Sequence, residues 1–445
     1  MNRMFGVVLL ALLASQAQAK VDVTQAERLG RDLTPLGAER AGNADGSIPE
    51  WAGGVKPPAK YRRGMHHPDP FAADTPLYRI DAADLEPHRS ALPAGLADFL
   101  QRHTDYYLQV YPTRRSAAAP QRIYDATRAN AEHARLIANG NGIEGAVAGV
   151  PFPIPQDGME VIWNHILHYK GDQNHFINSQ AVTVNGRTTL IRRDRYVYYL
   201  YNRKGITAAK LNNTLLYYRY HLLAPAKLAG TSLVVQDPLD QVLTTRRAWR
   251  YTSTDRRVRR LPSLAYDSVQ PDTSGLATAD VLDSYNGAPN RYEWTLLGKR
   301  EMVVPYNSYK VHQQGIPYEQ IVGPKTLNPE LLRYERHRVW VVDAKLRIGY
   351  THPFASRRFY IDEDSWQILA VDLRDAQGEL IALQESHPIS YYELPMFTST
   401  LETLYYLQTG DYFVDGLDNN EPMYDFEADI SPRDFSAQAL RRSGN

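Results

Sequence analysis

Cysteine is absent from the 445 residues. The fold therefore has no disulfide to rely on, and the chain offers neither a thiolate nucleophile nor a cysteine metal ligand. An excess of charge is missing too. Lys and Arg number 50 and so do Asp and Glu, a balance that argues against nucleic acid, whose binding domains are basic. After "MFGVVLLALLASQAQA" at the N-terminus, no apolar run is long enough to cross a bilayer as a helix. Catalytic signatures are also scarce. There is no G-x-S-x-G elbow, and "NGNGIEG" lacks the Lys-Ser/Thr and the preceding strand of a phosphate loop.

The single apolar run is itself informative. Arg3 precedes it and Ala17-Gln18-Ala19 closes it, the pattern of a secretory signal peptide cleaved after Ala19. No cysteine follows, so a bacterial lipid anchor is excluded. The expectation is a soluble, exported, periplasmic protein, with association to the outer membrane left open.

Tyrosine, at 30 residues, is abundant, and aromatic rings favour pleated, half-buried surfaces. The chain divides into a signal peptide (1–19), a helical and loop-rich N-terminal region (20–155), a sheet region (156–395), and C-terminal strands with a tail (396–445). In the second region helical spacing predicts helices over 81–111 and 125–137. From residue 174 onward the pattern is β. Asn185-Gly186 between two alternating runs predicts a tight hairpin, and some ten further strands follow with hairpin-length links. Many strands with few helices between them predict an α+β, mainly antiparallel fold rather than βαβ units. In "RRFYIDEDSWQILAVDLRDAQGEL" (357–380), Trp366, Ile368 and Ala370 alternate with Gln367, Leu369 and Val371. Apolar side chains thus occupy both faces, and each face needs a partner.

Several constellations invite a chemical reading. His165 and His168 would share a helix face, with His175 nearby, but a zinc site of the HExxH kind would add a placed carboxylate, and none is there. Asn43 and Asp45 are spaced as in an oxygen-ligand calcium loop, but its first acidic position is Ala41 and its closing glutamate is missing, so a tight turn in which Asn and Asp bond their own backbone is the expectation. No metal and no cofactor is expected. Glu363 and Asp364 fall in a predicted turn as solvated charges. "RRAWRYTSTDRRVRRLPSLAYD" (246–267) puts Trp249 and Tyr251 on one strand face and Arg257 and Arg259 on one side of the next strand. That is either a charged edge strand or an aromatic wall with a basic rim, suited to an anionic lipid head group.

"DLTPLGAERAGNADGSIPEWAGG", "GVPFPIPQDGMEVIWNH", "WRYTSTDRRVRRLPSLAYD", "ERHRVWVVDA", "FYIDEDSWQILAVD" and "VDGLDNNEPMYDF" together resemble a proteobacterial family of exported proteins of unknown function, labelled outer-membrane lipoprotein-sorting-like. The resemblance implies a fold like the lipoprotein carriers LolA and LolB: a strongly curved, unclosed half barrel with helices and an extended N-terminal region packed on it. It also implies envelope partners, namely an inner-membrane exporter of the resistance-nodulation-division (RND) class and an outer-membrane protein. Those carriers are less than half as long as this chain, so its N-terminal region and tail have no counterpart in them.

The expected function is a non-enzymatic carrier for a lipid or other hydrophobic compound, with Trp163, Trp249, Tyr251, Trp294, Trp340 and Trp366 as wall residues and Arg257 and Arg259 as head-group contacts. Two other readings stay open: a scaffold of an export assembly whose hollow is filled from within, and an envelope hydrolase.

Overall fold

Asn185 and Gly186 both take positive φ, 51° and 72°, so their backbone matches the twist of the strands they join. This hairpin belongs to a computed structural model that describes residues 21–261, 264 and 267–443; the signal peptide lies outside the described residues. The first strands are β1 (Tyr78–Ile80), β2 (Leu108–Tyr111), β3 (Arg135–Ile137), β4 (Gly142–Glu144), β5 (Gln173–Val184) and β6 (Arg187–Tyr199). Then come β7 (Thr214–Ala224), β8 (Ser232–Pro238), β9 (Arg247–Thr252), β10 (Arg257–Arg260), β11 (Tyr292–Pro305) and β12 (Tyr334–Leu346). The last are β13 (Ser356–Asp362), β14 (Ile368–Arg374), β15 (Leu380–Tyr391), β16 (Met396–Tyr406) and β17 (Tyr412–Leu417). The helices are α1 (Val23–Ala26), α2 (Ala94–Arg102), α3 (Gln121–His133), α4 (Gly158–Leu167), α5 (Ala208–Leu211), α6 (Tyr318–Ile321) and α7 (Ala437–Ser443).

Apart from the small β3–β4 pair, these strands form one 15-stranded sheet in the order β1-β2-β12-β13-β14-β15-β16-β17-β5-β6-β7-β8-β9-β10, with β11 paired to β12. All its pairings are antiparallel except β2 with β12. Its two ends do not meet, so the sheet is curved but unclosed. β16 and β17, from the C-terminal part of the chain, lie in its middle, and β1 and β2, from the N-terminal part, form one end.

Two predicted helices differ from those observed, and proline is the reason in both. The helix expected over 81–111 breaks into a 3-10 turn (Glu86–Ala91), α2 and β2, with Pro93 as the N-cap of α2. The helix expected over 125–137 starts earlier, after Pro120, and ends at His133. Proline suits a helix start and not a helix interior. The residues after Ala134 then pair as β3.

Both faces of β14 are covered, by different partners. On the inner face Trp366, Ile368, Val371 and Leu373 join a core completed by Leu36, Ile123 of α3, and Val161 and Ile162 of α4. The Trp366 indole donates to the Leu36 carbonyl at 2.9 Å. On the outer face Asp372 accepts from the amides of Gly95 (2.7 Å) and Ala94 (3.2 Å) at the start of α2, neutralising orphan donors of that helix. Leu96, Phe99 and Leu100 of α2 pack with Leu383 and Tyr405 behind the sheet. The N-terminal region therefore fills the inner face over one part of the sheet and supports the outer face as well.

Candidate functional site

Strand alternation aims one row of side chains from each of five neighbouring strands at the part of the inner face that α3 and α4 leave open. The rows are Asn174, Phe176, Asn178 and Gln180 on β5; Arg193, Arg195, Val197 and Tyr199 on β6; Leu216, Tyr218, Tyr220 and Leu222 on β7; Leu233, Val235 and Asp237 on β8; and Asp415 on β17. Register confirms a shared face: Arg195 lies opposite Phe176 and Tyr220, and Val197 opposite Tyr218. They surround a cavity of about 250 Å³. Beyond β17 the same sheet continues the wall with Glu402, directly opposite Asp415 in register, and with Met396 and Tyr391, while the far side comes from Lys170 after α4, the segment 270–286 and Tyr424.

The cavity has two chemically distinct regions. One is apolar, made by Val197, Leu216, Leu222, Leu233, Val235 and the tyrosine rings of β7. The other is ionic. Arg193 pairs with Asp415, and Arg195 reaches the same carboxylate at 3.2 Å. The guanidinium of Arg195 also lies over the rings of Phe176 (4.7 Å) and Tyr218 (5.4 Å). Two arginines hold the Asp415 carboxyl below its usual range despite burial, which acts the other way. Lys170 pairs with Asp283, and Arg246 with Asp237 at 2.8 Å. Arg250, beside the cavity, holds Asp272 at 3.0 Å. Gln180 also donates to the Asp272 carbonyl (3.1 Å), and Arg246 to the Asn286 carbonyl (2.7 Å). The segment 270–286 is thus tied across the cavity by ion pairs and hydrogen bonds. Glu402 faces Asp283 and Asp415; burial, with those carboxylates adding to it, pushes it up to about 8.

None of the eight residues singled out in the sequence lines this cavity. Trp294, Trp340 and Trp366 do point to the inner face, but where it is filled: Trp340 stacks on Trp366 at 6.1 Å, and Trp294 packs beside Phe359 at 5.7 Å. Trp163 sits in a separate small core with Phe152, Leu167 and Tyr201, its indole donating to the Gly140 carbonyl at 2.8 Å. Trp249 and Tyr251 lie on the outer face with Val234, covered by Phe435 and Leu440 at the C-terminus. Arg257 and Arg259 are exposed on the terminal strand, and Arg259 pairs with Asp255 at 2.8 Å.

The signal for Arg193 and Arg195 was present in "LIRRDRYVYYL" (190–200). They share a face with Val197 and Tyr199 on a strand flanked by two others. Charge on the apolar face of an interior strand needs a reason that charge on an edge strand does not.

The histidines of the predicted stripe are structural. His165 bonds the carbonyls of Trp366 (3.1 Å) and Asp283 (2.8 Å), His168 bonds the His165 carbonyl, and His175 reaches Asp194 at 2.7 Å. Asn43 and Asp45 bond the backbone of their own turn at Ile48 and Ser47, both at 2.9 Å. Glu363 and Asp364 correct the reading of solvated turn charges. Both are buried: Arg115 holds Asp364 at 2.9 and 2.7 Å, and Arg338 holds Glu363 at 2.6 Å. Asp364 also belongs to the His337, Asp362, Asp364 group, whose potential ligand atoms lie within 4.8 Å of one another. Arg115 already supplies the positive charge that a cation would bring there.

A family model described as "Protein of unknown function (DUF1329)" matches residues 79–441. The chain belongs to the DUF1329 family. An uncharacterized protein of Pseudomonas aeruginosa is 42% identical to this DUF1329 chain over 444 residues, 99% of this chain and 97% of its own length. Among solved structures, a putative outer membrane lipoprotein-sorting protein domain from Vibrio parahaemolyticus matches with a TM-score of 0.45 and 12% identity, covering 64% of this chain and 98% of its own. A DUF1329 family protein from Desulfovibrio piger matches at 0.42 and 12%, over 61% and 92%. A LolA superfamily protein from Nitrosomonas europaea matches at 0.37 and 11%, over 63% and 98%. No helix among the described residues of this DUF1329 protein is long and apolar enough to cross a membrane.

Proposed function

We propose that this DUF1329 protein is a non-enzymatic binding or carrier protein of the periplasm for a hydrophobic small molecule, passing it between an RND-class exporter and the outer membrane. The observation that carries the reading is the cavity itself. Elsewhere α3, α4 and the N-terminal segment fill the inner face, yet over β5 to β8 the apolar row Val197, Tyr220, Leu222, Leu233 and Val235 faces a hollow. These side chains are already shielded from water by the protein, so what the hollow leaves unmade is packing contact, which an apolar occupant would supply. The groups around the hollow already engage one another, Arg193 and Arg195 with Asp415 and Lys170 with Asp283, an arrangement suited to binding and orienting a ligand.

The test is solvent extraction of the protein purified from the cell envelope, with mass spectrometry of the extract, and titration with the neutral fluorophore Nile red. The expected result is an apolar compound in the extract and saturable Nile red binding that Val235→Trp weakens at least about tenfold by filling the hollow. An empty extract together with no saturable fluorophore binding would refute the carrier reading.

A further inference from the structure

Around the cavity, four carboxylates each have a cation: Asp237 with Arg246, Asp272 with Arg250, Asp283 with Lys170, and Asp415 with Arg193. Arg195 is left over. It leans on Asp415 at 3.2 and 3.3 Å, a carboxylate already paired with Arg193. The fifth acid, Glu402, has no ion-pair partner among the described residues, and burial drives it towards its neutral form; burial also raises Asp237, which keeps its pairing with Arg246. With Glu402 protonated, five cations face four anions, and one positive charge is unmatched at the ionic end.

Two further observations locate that charge. The Nε donors of Arg193 and Arg195 have no hydrogen-bond partner among the described residues, although the Arg193 side chain is only 4% exposed and both residues line the cavity. A buried guanidinium donor without an acceptor is costly, and a carboxylate accepts from guanidinium groups in charge-assisted bonds. The rings of Phe176 and Tyr218 lie against the Arg195 guanidinium, at 4.7 and 5.4 Å, and hold the group in place. From this point the apolar rows of β6, β7 and β8 lead away along the cavity wall.

We infer that the ligand is a single-chain amphiphile with one carboxylate head, the head bound at Arg193 and Arg195 beside the Glu402 carboxyl, and the tail along Val197, Tyr220, Leu222, Leu233 and Val235. The inference rests on the carrier reading and adds the class of compound. The Glu402 hydroxyl donates to the bound carboxylate while it keeps its proton. Once ionised, Glu402 adds a second negative charge beside the head and competes for Arg195. The other charged or titratable groups facing this end are Asp283, Asp415, Lys170, Tyr199, Tyr218, Tyr220, Tyr391 and Tyr424. Burial raises Tyr199, Tyr391 and Tyr424 above the ordinary tyrosine value, which keeps those three neutral where Glu402 titrates.

The experiment measures displacement of Nile red from the full-length protein by decanoate, decanol and decyltrimethylammonium, near neutral pH and again above the Glu402 transition at about 8. Near neutral pH decanoate is expected to bind at least about tenfold more tightly than decanol, a difference of ~1.4 kcal/mol, and the cation more weakly than either. The preference for decanoate is expected to fall at the higher pH in the native protein and to persist there in Glu402→Gln. Arg195→Met should reduce the decanoate-to-decanol ratio about tenfold, and Arg195→Lys, which retains a charge beside Asp415, should preserve part of it. Equal binding of decanoate and decanol by the native protein, or a preference for the cation, overturns the carboxylate head while leaving the carrier reading intact. Failure of all three to displace a bound fluorophore overturns the amphiphile, whereas an empty extract with no saturable fluorophore binding at all overturns both.

Discussion

His387 and Glu385 sit two residues apart on β15, and their burial pulls stability in opposite directions with pH. His387 is fully buried, neither ring nitrogen has a hydrogen-bond partner among the described residues, and burial pushes it from 6.5 down to about 3. Between those values the unfolded chain takes up a proton that the folded chain refuses, so this contribution to stability is lost as pH falls. His165, pushed down to about 4 by burial, acts in the same sense. Glu385, buried beside the Tyr334 hydroxyl at 3.2 Å, is pushed from 4.5 up to about 8. There the folded chain keeps a proton that the unfolded chain releases, so stability falls as pH rises through that window. His387→Leu is expected to flatten the acid side only, with the loss of stability between about pH 7.5 and pH 5 reduced by up to ~2 kcal/mol. Denaturant melts at the two pH values provide the check. Parallel curves for variant and native protein would mean that His387 is not the group responsible.

Among the elements, β17 shows how one backbone position shapes the site. Asp415 pairs with Gln180 and Leu417 with Ser179, which leaves Gly416 as the extra residue of a bulge at φ 109°. A Cβ there would stand 2.1 Å from the Thr400 carbonyl oxygen. Only glycine allows β16 and β17 to close at this point while Asp415 faces the arginines. Gly416→Ala is therefore expected to cost at least ~2–3 kcal/mol. Gly186→Ala, in a hairpin turn where nothing lies closer than 3.7 Å, should cost only ~1 kcal/mol. Equal costs in chemical denaturation would remove the special role of the bulge. At this scale much was legible beforehand. The alternation of strands and the Asn185-Gly186 turn are local signals, and both appear in the structure. The helix boundaries were less legible because spacing alone ran the pattern through Pro93 and began the second helix several residues after Pro120.

At the scale of the whole molecule, the two faces of the sheet carry separate tasks. Phe435 and Leu440, both fully buried, pack the C-terminal segment against Val234 and Tyr251 on the outer face, with the sheet between them and the cavity. Replacing both by alanine should lower stability by at least ~4 kcal/mol yet leave Nile red affinity in the cavity within about twofold in native buffer. Loss of fluorophore binding in step with stability would show that the faces are coupled. The same geometry explains why the sequence pointed to Trp249 and Tyr251 as cavity wall. Alternation places them together on one face, correctly, but Leu233 and Val235 on the neighbouring strand point the opposite way from Val234, and it is their side that is hollow.

By itself the sequence determined an antiparallel, tyrosine-rich sheet without disulfides, the register of its clearest hairpin, and membership of a family through motifs spread along the chain. These follow from period-two patterning, turn chemistry and residue identity, all local along the chain. The tertiary structure alone decided which face curves inward, which part of that face α3, α4 and the N-terminal segment fill, and that Arg193 and Arg195 meet Asp415 and Glu402 around what remains. Alternation says that two faces differ and not which one is enclosed. A cavity is what residues more than two hundred positions apart leave uncovered, and no local pattern records that.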